Sequence, residues 1–282
     1  SRDWSSDVCS SDLVEYECKC GELISSKRLA LGHYTCLTCG EERARQKIHC
    51  TVPLHKGNYC VITNKEDINL IDYPHLKKAD LDALKQYIAR MSRINIHNYN
   101  RNEQLAFWLN LYNALTIKVV AEYYPIESID DINISPGLFS IGPWGANLVT
   151  ISGTPLSLDD IQNRIIRPIW NDPRTHYAIN DATIGAANLS NEAFQGNTIE
   201  QQLNQVAHGY INSLRGVQVI EGKLIVSKIY DWYIDDFGGN ESALIKHLSV
   251  YAGEPLRNQL QLVKSVNSYM YNWHINSTVA VA

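Results

Sequence analysis

All seven cysteines of this chain lie within its first 60 residues, and residues 61–282 contain none. This distribution predicts two modules of different chemistry joined end to end. The first has the thiols that a metal site or disulfides require, whereas the second must fold and function without a cysteine. A length of 282 residues allows one large domain or two unequal ones.

Composition and charge exclude several classes of protein. A hydrophobic content of 45% with 20% charged residues is typical of a soluble globular protein. The net charge is −5, and neither part of the chain is dense in positive charge, so direct nucleic-acid binding is not predicted. No run of about 18 apolar residues occurs, so no membrane span is predicted.

The first 13 residues differ from the rest of the chain. They lack a start methionine, apolar periodicity and the features of a signal peptide. They resemble a translated sequencing adapter. We therefore predict that residues 1–13 are a disordered, non-native tail, and that the true N-terminus, with any export signal, lies elsewhere.

Two close cysteine pairs follow this tail, and each ends in Cys-Gly. Glycine lets the chain turn so that backbone amides point at the sulfurs, and zinc takes four such ligands tetrahedrally. The pattern predicts one structural zinc ion bound by Cys18, Cys20, Cys36 and Cys39. The first pair is one residue shorter than the usual Cys-x2-Cys spacing, and disulfides are the alternative interpretation.

Residues 21–41 and 43–59 resemble the DksA/TraR-type four-cysteine zinc finger of phages and bacteria, over about residues 17–64. In that family's pattern the first ligand falls at Glu17, so Cys18 is out of register by one. The best-known members act on RNA polymerase through a coiled-coil arm that does not precede the finger here. The resemblance implies a zinc module, with RNA polymerase as its partner.

Hydrophobic periodicity and turn residues predict a helix-rich α+β domain with a small sheet over residues 68–282, after a zinc module at 14–67. The predicted helices run from Asp80 to Met91, Asn102 to Tyr124, Ser157 to Ile165, Thr198 to Ile211 and Ser242 to Tyr251. The predicted strands are Leu148–Ser152, His176–Ile179 and a hairpin of Val217–Ile220 and Lys223–Val226. The second helix is apolar nearly all round and precedes Pro125, which predicts a buried central helix.

Several motifs of this domain occur in a fixed order and use rare residues. They are Ala106-Phe-Trp-Leu-Asn110-Leu-Tyr-Asn113, Pro143-Trp144, Leu156-Ser-Leu-Asp-Asp160-Ile, Arg174-Thr-His176-Tyr-Ala, Leu224 to Asp231-Trp-Tyr, Asp236-Phe and Tyr271-Asn-Trp273-His-Ile-Asn276. Together they resemble the domain-of-unknown-function 547 family over residues 71–278. The family's biochemistry is not established, and fold-level similarity implies a papain- or transglutaminase-like hydrolase or acyl transferase.

The segment after His176 departs from that family. Where the family reads Asn-Cys-Ala-Ser-x-Gly-Cys-Pro-x-Leu, this chain reads Asn180-Asp181-Ala-Thr-Ile-Gly-Ala186-Ala-Asn-Leu. Asp181 and Ala186 therefore stand at both cysteine positions. Because no cysteine follows Cys60, a mechanism with a thiolate nucleophile beside the histidine is excluded.

Polar residues nevertheless predict a cleft around His176. Its imidazole, paired with Asp181 or Asp231, has the chemistry of a general base. At strand spacing Arg174 would share its face and hold an anionic or carbonyl group. Lys228 and Asp231 follow the hairpin, where polar residues commonly gather into a site. A hydrogen-bonded structural histidine is the alternative.

Four further residues are candidates for binding: Asn110, Asn113, Trp144 and Asn180. Buried amides must be paired, so we expect the two helical asparagines to bond the loop backbone around Trp144 or to contact a ligand. Residues 68–282 contain no metal-ligand cluster, phosphate loop or dinucleotide fingerprint. No cofactor is therefore predicted for the large domain.

The sequence thus predicts a module that binds a protein or peptide, or a degenerate hydrolase or transferase without a cysteine nucleophile. One alternative is a zinc-finger regulator of the transcription machinery that carries the large domain as a passenger. Another is an artefactual fusion of two unrelated proteins. Zinc-bound thiolates suit the cytoplasm if the fusion is real, whereas the large domain alone resembles exported, periplasmic proteins.

Overall fold

The computed structural model describes residues 17–25, 36–39, 50–54, 58–62, 70–137 and 140–278. The chain divides into two compact units, an N-terminal one and a much larger one. The tail predicted over residues 1–13 lies outside the described residues, as does part of the predicted zinc module. The domain boundaries stay predictions.

The described residues form a helix-rich α+β fold, which confirms the predicted class. The α-helices of the large unit that the structure describes include α1 (Lys78–Met91), α2 (Arg101–Tyr123), α3 (Arg167–Trp170, continuing a π-helix at Asp160–Ile166), α4 (Ile199–Ile211), α5 (Ile229–Trp232), α6 (Glu241–Tyr251) and α7 (Leu256–Leu260). The strands are β1 (Cys50–Leu54), β2 (Asn58–Ile62), β3 (Val149–Ile151), β4 (Thr154–Leu156), β5 (Val217–Ile220), β6 (Lys223–Ser227) and β7 (Val266–Met270). Among these described helices, none combines the length and apolar character that a membrane crossing requires.

Helix α2 is the buried centre of the domain, as its apolar sequence predicted. Its start is fixed by a capping box: the side chain of Asn100 accepts hydrogen bonds from the backbone N–H groups of Asn102 and Glu103, and the Glu103 carboxylate accepts one from Asn100 N at 2.9 Å. The helix ends at Tyr123, since Pro125 cannot continue it. Residues of α2 contribute to two of the hydrophobic clusters of the large unit, and α1 and the π-helix pack against this helix.

The sheets are small and mostly antiparallel. β5 and β6 form the predicted hairpin, and both turn residues, Glu221 and Gly222, have positive φ, as a two-residue hairpin turn requires. β7 adds to β6 in parallel, and β3 pairs with β4. The sequence predicts neither β7 nor α7, because Asn267 and Ser268 interrupt the apolar pattern of the strand.

The strand predicted at His176–Ile179 is wrong. Residues Pro173–Tyr177 instead form a short 3-10 helix. The Asp172 carboxylate caps it by accepting a hydrogen bond from Arg174 N at 2.9 Å, and Pro173 occupies the first helical position, where its missing N–H costs nothing. Arg174 and His176 consequently do not share a face as strand residues would.

Asn113 fixes the backbone that follows this short helix. Its side-chain Nδ2 donates to the carbonyl oxygen of Ala178 at 2.9 Å, and its Oδ1 accepts from the Asn180 N–H at 2.8 Å. Asn113 is buried, so both polar ends of its amide are satisfied by main-chain groups. The central helix is thereby hydrogen-bonded to the segment that carries His176.

Asn110 does the same one turn earlier. Its Nδ2 donates to the Phe194 carbonyl oxygen and its Oδ1 accepts from the Phe194 N–H, both at 2.9 Å. The prediction that both asparagines bond loop backbone is correct in kind. The partner predicted, the loop around Trp144, is wrong, because the segment 178–194 lies against this side of α2 and supplies the main-chain groups there.

Replacement of Asn113 with alanine should lower the free energy of unfolding by about 2–4 kcal/mol, since it leaves a buried carbonyl and a buried N–H without partners. Urea denaturation of the full chain measures this change. Thr116→Val is the matched control in the same helix: the Thr116 hydroxyl bonds only the Tyr112 carbonyl of its own helix, so its loss should cost less than about 1 kcal/mol. Equal losses of stability for the two variants would contradict a special role of the two Asn113 hydrogen bonds to the backbone.

Candidate functional site

The large unit contains a cavity of about 350 Å³. This size lies near the lower end of the range of about 300–1,000 Å³ usual for small-molecule sites. Its aromatic lining consists of Tyr112, Trp144, Trp232, Tyr233, Tyr271 and Trp273. Its polar lining consists of Asp159, Gln162, His176 and Asp181, and the remaining wall is small or aliphatic. Of the nine residues predicted for catalysis or binding, His176, Asp181 and Trp144 meet here.

His176 is held in the wall of this cavity by a charged partner. The side chain is buried, with 6% of the residue exposed, and its Nε2 lies 2.7 Å from Oδ2 of Asp236. Arg167 donates to both oxygens of the same carboxylate, from Nε at 2.6 Å and from Nη2 at 3.1 Å. The ring of Tyr233 stacks on the imidazole at 4.3 Å. The imidazole is therefore fixed on its Nε2 side and on one face.

These contacts determine the protonation state of the histidine. Burial alone would raise the pKa of Asp236, but the hydrogen bonds and charges of His176 and Arg167 outweigh it and hold that pKa well below its ordinary value. Burial lowers the pKa of His176, and Asp236 offsets only part of this effect. The carboxylate is thus ionised and can only accept, so Nε2 of a neutral imidazole carries the proton.

Nδ1 of His176 then carries the lone pair. Within the described part of the chain, Asp236 is the only residue that hydrogen-bonds this imidazole, and it does so through Nε2. A neutral imidazole with an unoccupied lone pair in a cavity wall has the chemistry of a general base or of a hydrogen-bond acceptor for a ligand.

Asp181 lines the cavity but is not the partner of His176. Its Oδ1 accepts from the hydroxyl of Thr183 at 2.7 Å, and its Oδ2 accepts from the hydroxyl of Tyr271 at 2.5 Å. Burial raises the pKa of Asp181 despite these two bonds. The hypothesis that His176 pairs with Asp181 or Asp231 is wrong, because the carboxylate of Asp236 occupies its Nε2.

Three predicted catalytic residues do not line the cavity. Arg174 is bound by two carboxylates, Asp172 at 2.6 Å and Glu200 at 2.8 Å, and fixes the 3-10 helix against α4. Lys228 and Asp231 are exposed, and the Lys228 ammonium lies 6.0 Å from the ring centroid of Trp232. The guanidinium of Arg174 is therefore engaged in structural ion pairs and is not free to hold a ligand in the way that the sequence predicted.

The predicted binding residue Asn180 shapes the loop that carries two cavity residues. Its Nδ2 donates to the Ala187 carbonyl at 2.6 Å, and its Oδ1 accepts from the Ala182 N–H at 2.8 Å. The amide thus closes the loop that contains Asp181 and Ala186. Like the two asparagines of α2, it positions backbone and does not face the cavity.

Sequence reasoning misses Asp236, Arg167 and Tyr233 as site residues. Asp236 belongs to the Asp-Phe motif, which is the one signal that points to it. It lies 60 residues from His176 along the chain, and Arg167 lies 69 residues from Asp236. No local spacing rule connects groups so far apart.

The N-terminal unit places the four predicted zinc ligands together. The sulfurs of Cys18, Cys20, Cys36 and Cys39 all lie within 4.8 Å of one another, and none is in a disulfide. Backbone hydrogen bonds from Cys20 and Cys36 lower the pKa of Cys18 to about 6. This is the arrangement of amides and sulfurs that the Cys-Gly pattern predicts, and it could bind a metal ion.

Comparison with known proteins gave a match to a family model that covers part of the large domain. Residues 96–211 match the family described as "Protein of unknown function, DUF547", so a DUF547 domain is present. The matched segment includes α2, His176 and Asp181. No zinc-finger family matched the cysteine cluster. A search of the curated proteins and a search of the solved structures each gave no match.

Asp236→Asn should lower the free energy of unfolding near pH 7 by about 2–3 kcal/mol, because it leaves the half-buried Arg167 without its anion. A carboxyl whose pKa is lowered by folding stabilises above the ordinary value of about 3.9 and loses that effect as the pH falls. The difference between wild type and variant should therefore shrink as the pH is lowered below about 4.

Thermal or urea unfolding at several pH values measures this dependence. Asp231→Asn is the matched control, since it makes the same chemical change at an exposed carboxylate and should shift stability by less than about 0.5 kcal/mol. A loss for Asp236→Asn that is constant from neutral to strongly acidic pH would exclude the ionised carboxylate as its cause.

Proposed function

We propose that the DUF547 domain is a ligand-binding module and a degenerate hydrolase or acyl transferase. In this view it keeps the activating histidine of an acyl-transfer site but not the nucleophile. The observation that carries the proposal is the His176 imidazole in the cavity wall, fixed by Asp236 through Nε2 and without a hydrogen-bond partner at Nδ1 among the described residues. A purely structural histidine would be expected to have both nitrogens paired.

The two family cysteine positions support the degenerate character. Asp181 and Ala186 stand at those positions, and both line the same cavity as His176. A thiol at either position would lie in the same cavity as a base. Among the described residues that line the cavity there is no Ser, Thr, Cys or Lys. A covalent acyl intermediate therefore lacks the thiol, aliphatic hydroxyl or amine that most often attacks an acyl carbon, and reversible binding is the function we favour.

Hydrolysis without a covalent step is the second candidate. The Nδ1 lone pair of His176 would take a proton from a water molecule as that water attacks an acyl or amide carbon. The bond from that carbon to the leaving oxygen or nitrogen then breaks, and the proton on Nδ1 passes to the leaving alcohol or amine. If an acyl or amide hydrolase activity is detected, His176→Ala should reduce it by roughly 100-fold or more. An unchanged activity would exclude His176 from catalysis.

The binding-module proposal is tested by restoring a thiol. Ala186→Cys in the full chain should give a cysteine that iodoacetamide alkylates with a pKa below the ordinary value of about 8.5, because His176 can accept its proton. Burial by itself would raise that pKa, so a lowered value requires the base. Mass spectrometry of the peptide that contains residue 186 separates this thiol from the seven native cysteines.

Further variants show whether the pKa of the introduced thiol depends on His176. His176→Gln in the Ala186→Cys background should return the thiol to a pKa at or above the ordinary value. Asp181→Cys probes the other family position in the same way. Ala89→Cys, at an exposed position of α1, is the matched control and should titrate normally. If neither introduced cavity thiol differs from the control, or if His176→Gln has no effect, the site is not a degenerate acyl-transfer site.

We infer that the four-cysteine cluster is a structural zinc site. The support is the mutual proximity of four free thiols, since zinc takes four thiolates tetrahedrally and such sites contribute folding energy directly. A regulatory role on RNA polymerase rests on this module, whereas binding of a protein or peptide rests on the cleft of the large domain. Both stay proposals.

Purified full chain should contain about one zinc per molecule by elemental analysis, as a closed four-ligand site requires. Cys36→Ser should reduce this content at least several-fold, whereas Cys60→Ser, outside the four predicted ligands, should leave it unchanged. A metal content well below one per chain in the unmodified protein would remove the zinc proposal.

A further inference from the structure

The cavity wall contains an unusual cluster of aromatic side chains. Trp232, Tyr271 and Trp273 contact one another with ring centroids 4.8–5.3 Å apart and interplanar angles of 41–60°. Trp144 meets Trp273 edge-on at 6.1 Å. These contacts are edge-on or tilted, and 39% of Trp232 is exposed. Large aromatic residues left partly exposed around a cavity are typical of binding sites rather than of a sealed core.

The polar lining of the cavity is dominated by hydrogen-bond acceptors. Asp159 and Asp181 contribute carboxylates, and His176 contributes the lone pair of Nδ1. No Lys or Arg is among the described lining residues. The guanidinium of Arg167 is bound to Asp236 and lies 4.7 Å from the ring centroid of Tyr233, so it already neutralises another carboxylate.

This combination selects one kind of ligand. An anion would meet two carboxylates without a compensating cation. A neutral apolar group would leave His176 Nδ1 without a donor in a partly desolvated site, which is costly. The carboxylate of Asp181 already accepts from the hydroxyls of Thr183 and Tyr271, and a cation would add the charge that these neutral donors do not supply. A cation with N–H groups would pair with the carboxylates and Nδ1 and would also be attracted to the faces of the tryptophan rings.

We propose that the cavity binds an organic ammonium group carried on an apolar chain, its N–H groups donating to His176 Nδ1 and the carboxylates while the apolar chain contacts the aromatic wall. This proposal rests on the proposed function, since it names the ligand class of the same cavity. The class comprises free alkylamines and the lysine side chain of a peptide. A primary ammonium should bind better than a quaternary one, because only the former can donate to Nδ1.

The direct test is calorimetric titration of the full chain with n-butylammonium, at constant ionic strength. The comparison ligands are 1-butanol, butyrate and butyltrimethylammonium, which pair a short alkyl chain with a neutral, an anionic or a quaternary head. We expect saturable binding of n-butylammonium, at least about tenfold weaker binding of the quaternary analogue, and still weaker binding of the other two.

Variants connect any binding to this cavity. Asp181→Asn and Trp232→Leu should each weaken n-butylammonium binding about tenfold, the first by removing a charge and the second by removing an aromatic face. Trp232 is partly exposed, so its replacement should not prevent folding. Asp82→Asn changes the net charge equally at an exposed position of α1 that does not line the cavity, and it should leave binding unchanged.

N-acetyl-lysine amide distinguishes the two sources of the ammonium group. Tighter binding than n-butylammonium would indicate a lysine of a peptide, and weaker binding would indicate a free amine. Either result supports the ligand class if Asp181→Asn and Trp232→Leu weaken the binding of both compounds.

Other outcomes overturn the inference. Binding of 1-butanol or butyrate in preference to n-butylammonium, or no saturable binding of n-butylammonium, would exclude an ammonium ligand. Such a result would leave the proposed function intact as long as the thiol at residue 186 keeps its dependence on His176. If n-butylammonium binds but the thiol of the Ala186→Cys variant has an ordinary pKa, the degenerate acyl-transfer site is excluded and the ammonium ligand is still supported.

Discussion

The arrangement of the large domain depends on the pairing of the Asn113 amide with the backbone that follows the His176 helix. Helix α2 is buried nearly all round and has no continuous polar face, so its apolar surface alone does not determine which segments pack against which side. Two hydrogen bonds to Ala178 and Asn180 therefore fix the position of that segment, and Asn110 does the same at Phe194. A buried amide left unpaired is costly, so alternative docking of this segment is disfavoured.

On this framework, one chain of charge-assisted contacts gives His176 its chemistry. Arg167 neutralises and orients Asp236, and the ionised Asp236 keeps the proton on Nε2. The lone pair of Nδ1 follows from these two contacts without any help from the loop that carries Asp181. Under the proposed function, Asp181 and Ala186 at the positions of the family's cysteines remove the nucleophile, whereas the base and its orienting carboxylate stay in place.

The remainder of the cavity is consistent with binding. Its walls are aromatic, its polar groups are acceptors, and its carboxylates have no cationic partner among the described lining residues. Under the proposed ligand class, the Asp181 carboxylate stands where the family has a cysteine and accepts from a cation. Loss of covalent chemistry and gain of cation recognition would then result from the same substitution.

The sequence by itself determined the elements whose cause is local. Apolar periodicity located the long helices α1, α2, α4 and α6 and the hairpin, and the Cys-Gly pairs located the thiol cluster. Helical repeats, turns and the close cysteine pairs of a metal site each involve neighbouring residues. The strand predicted at His176 failed because the Asp172 cap and Pro173 favour a helical turn. The partner of His176 and the walls of the cavity were decided only by the tertiary structure. His176 and Asp236 are 60 residues apart and Arg167 and Asp236 are 69 apart, so their meeting depends on how distant segments pack and not on any repeat along the chain.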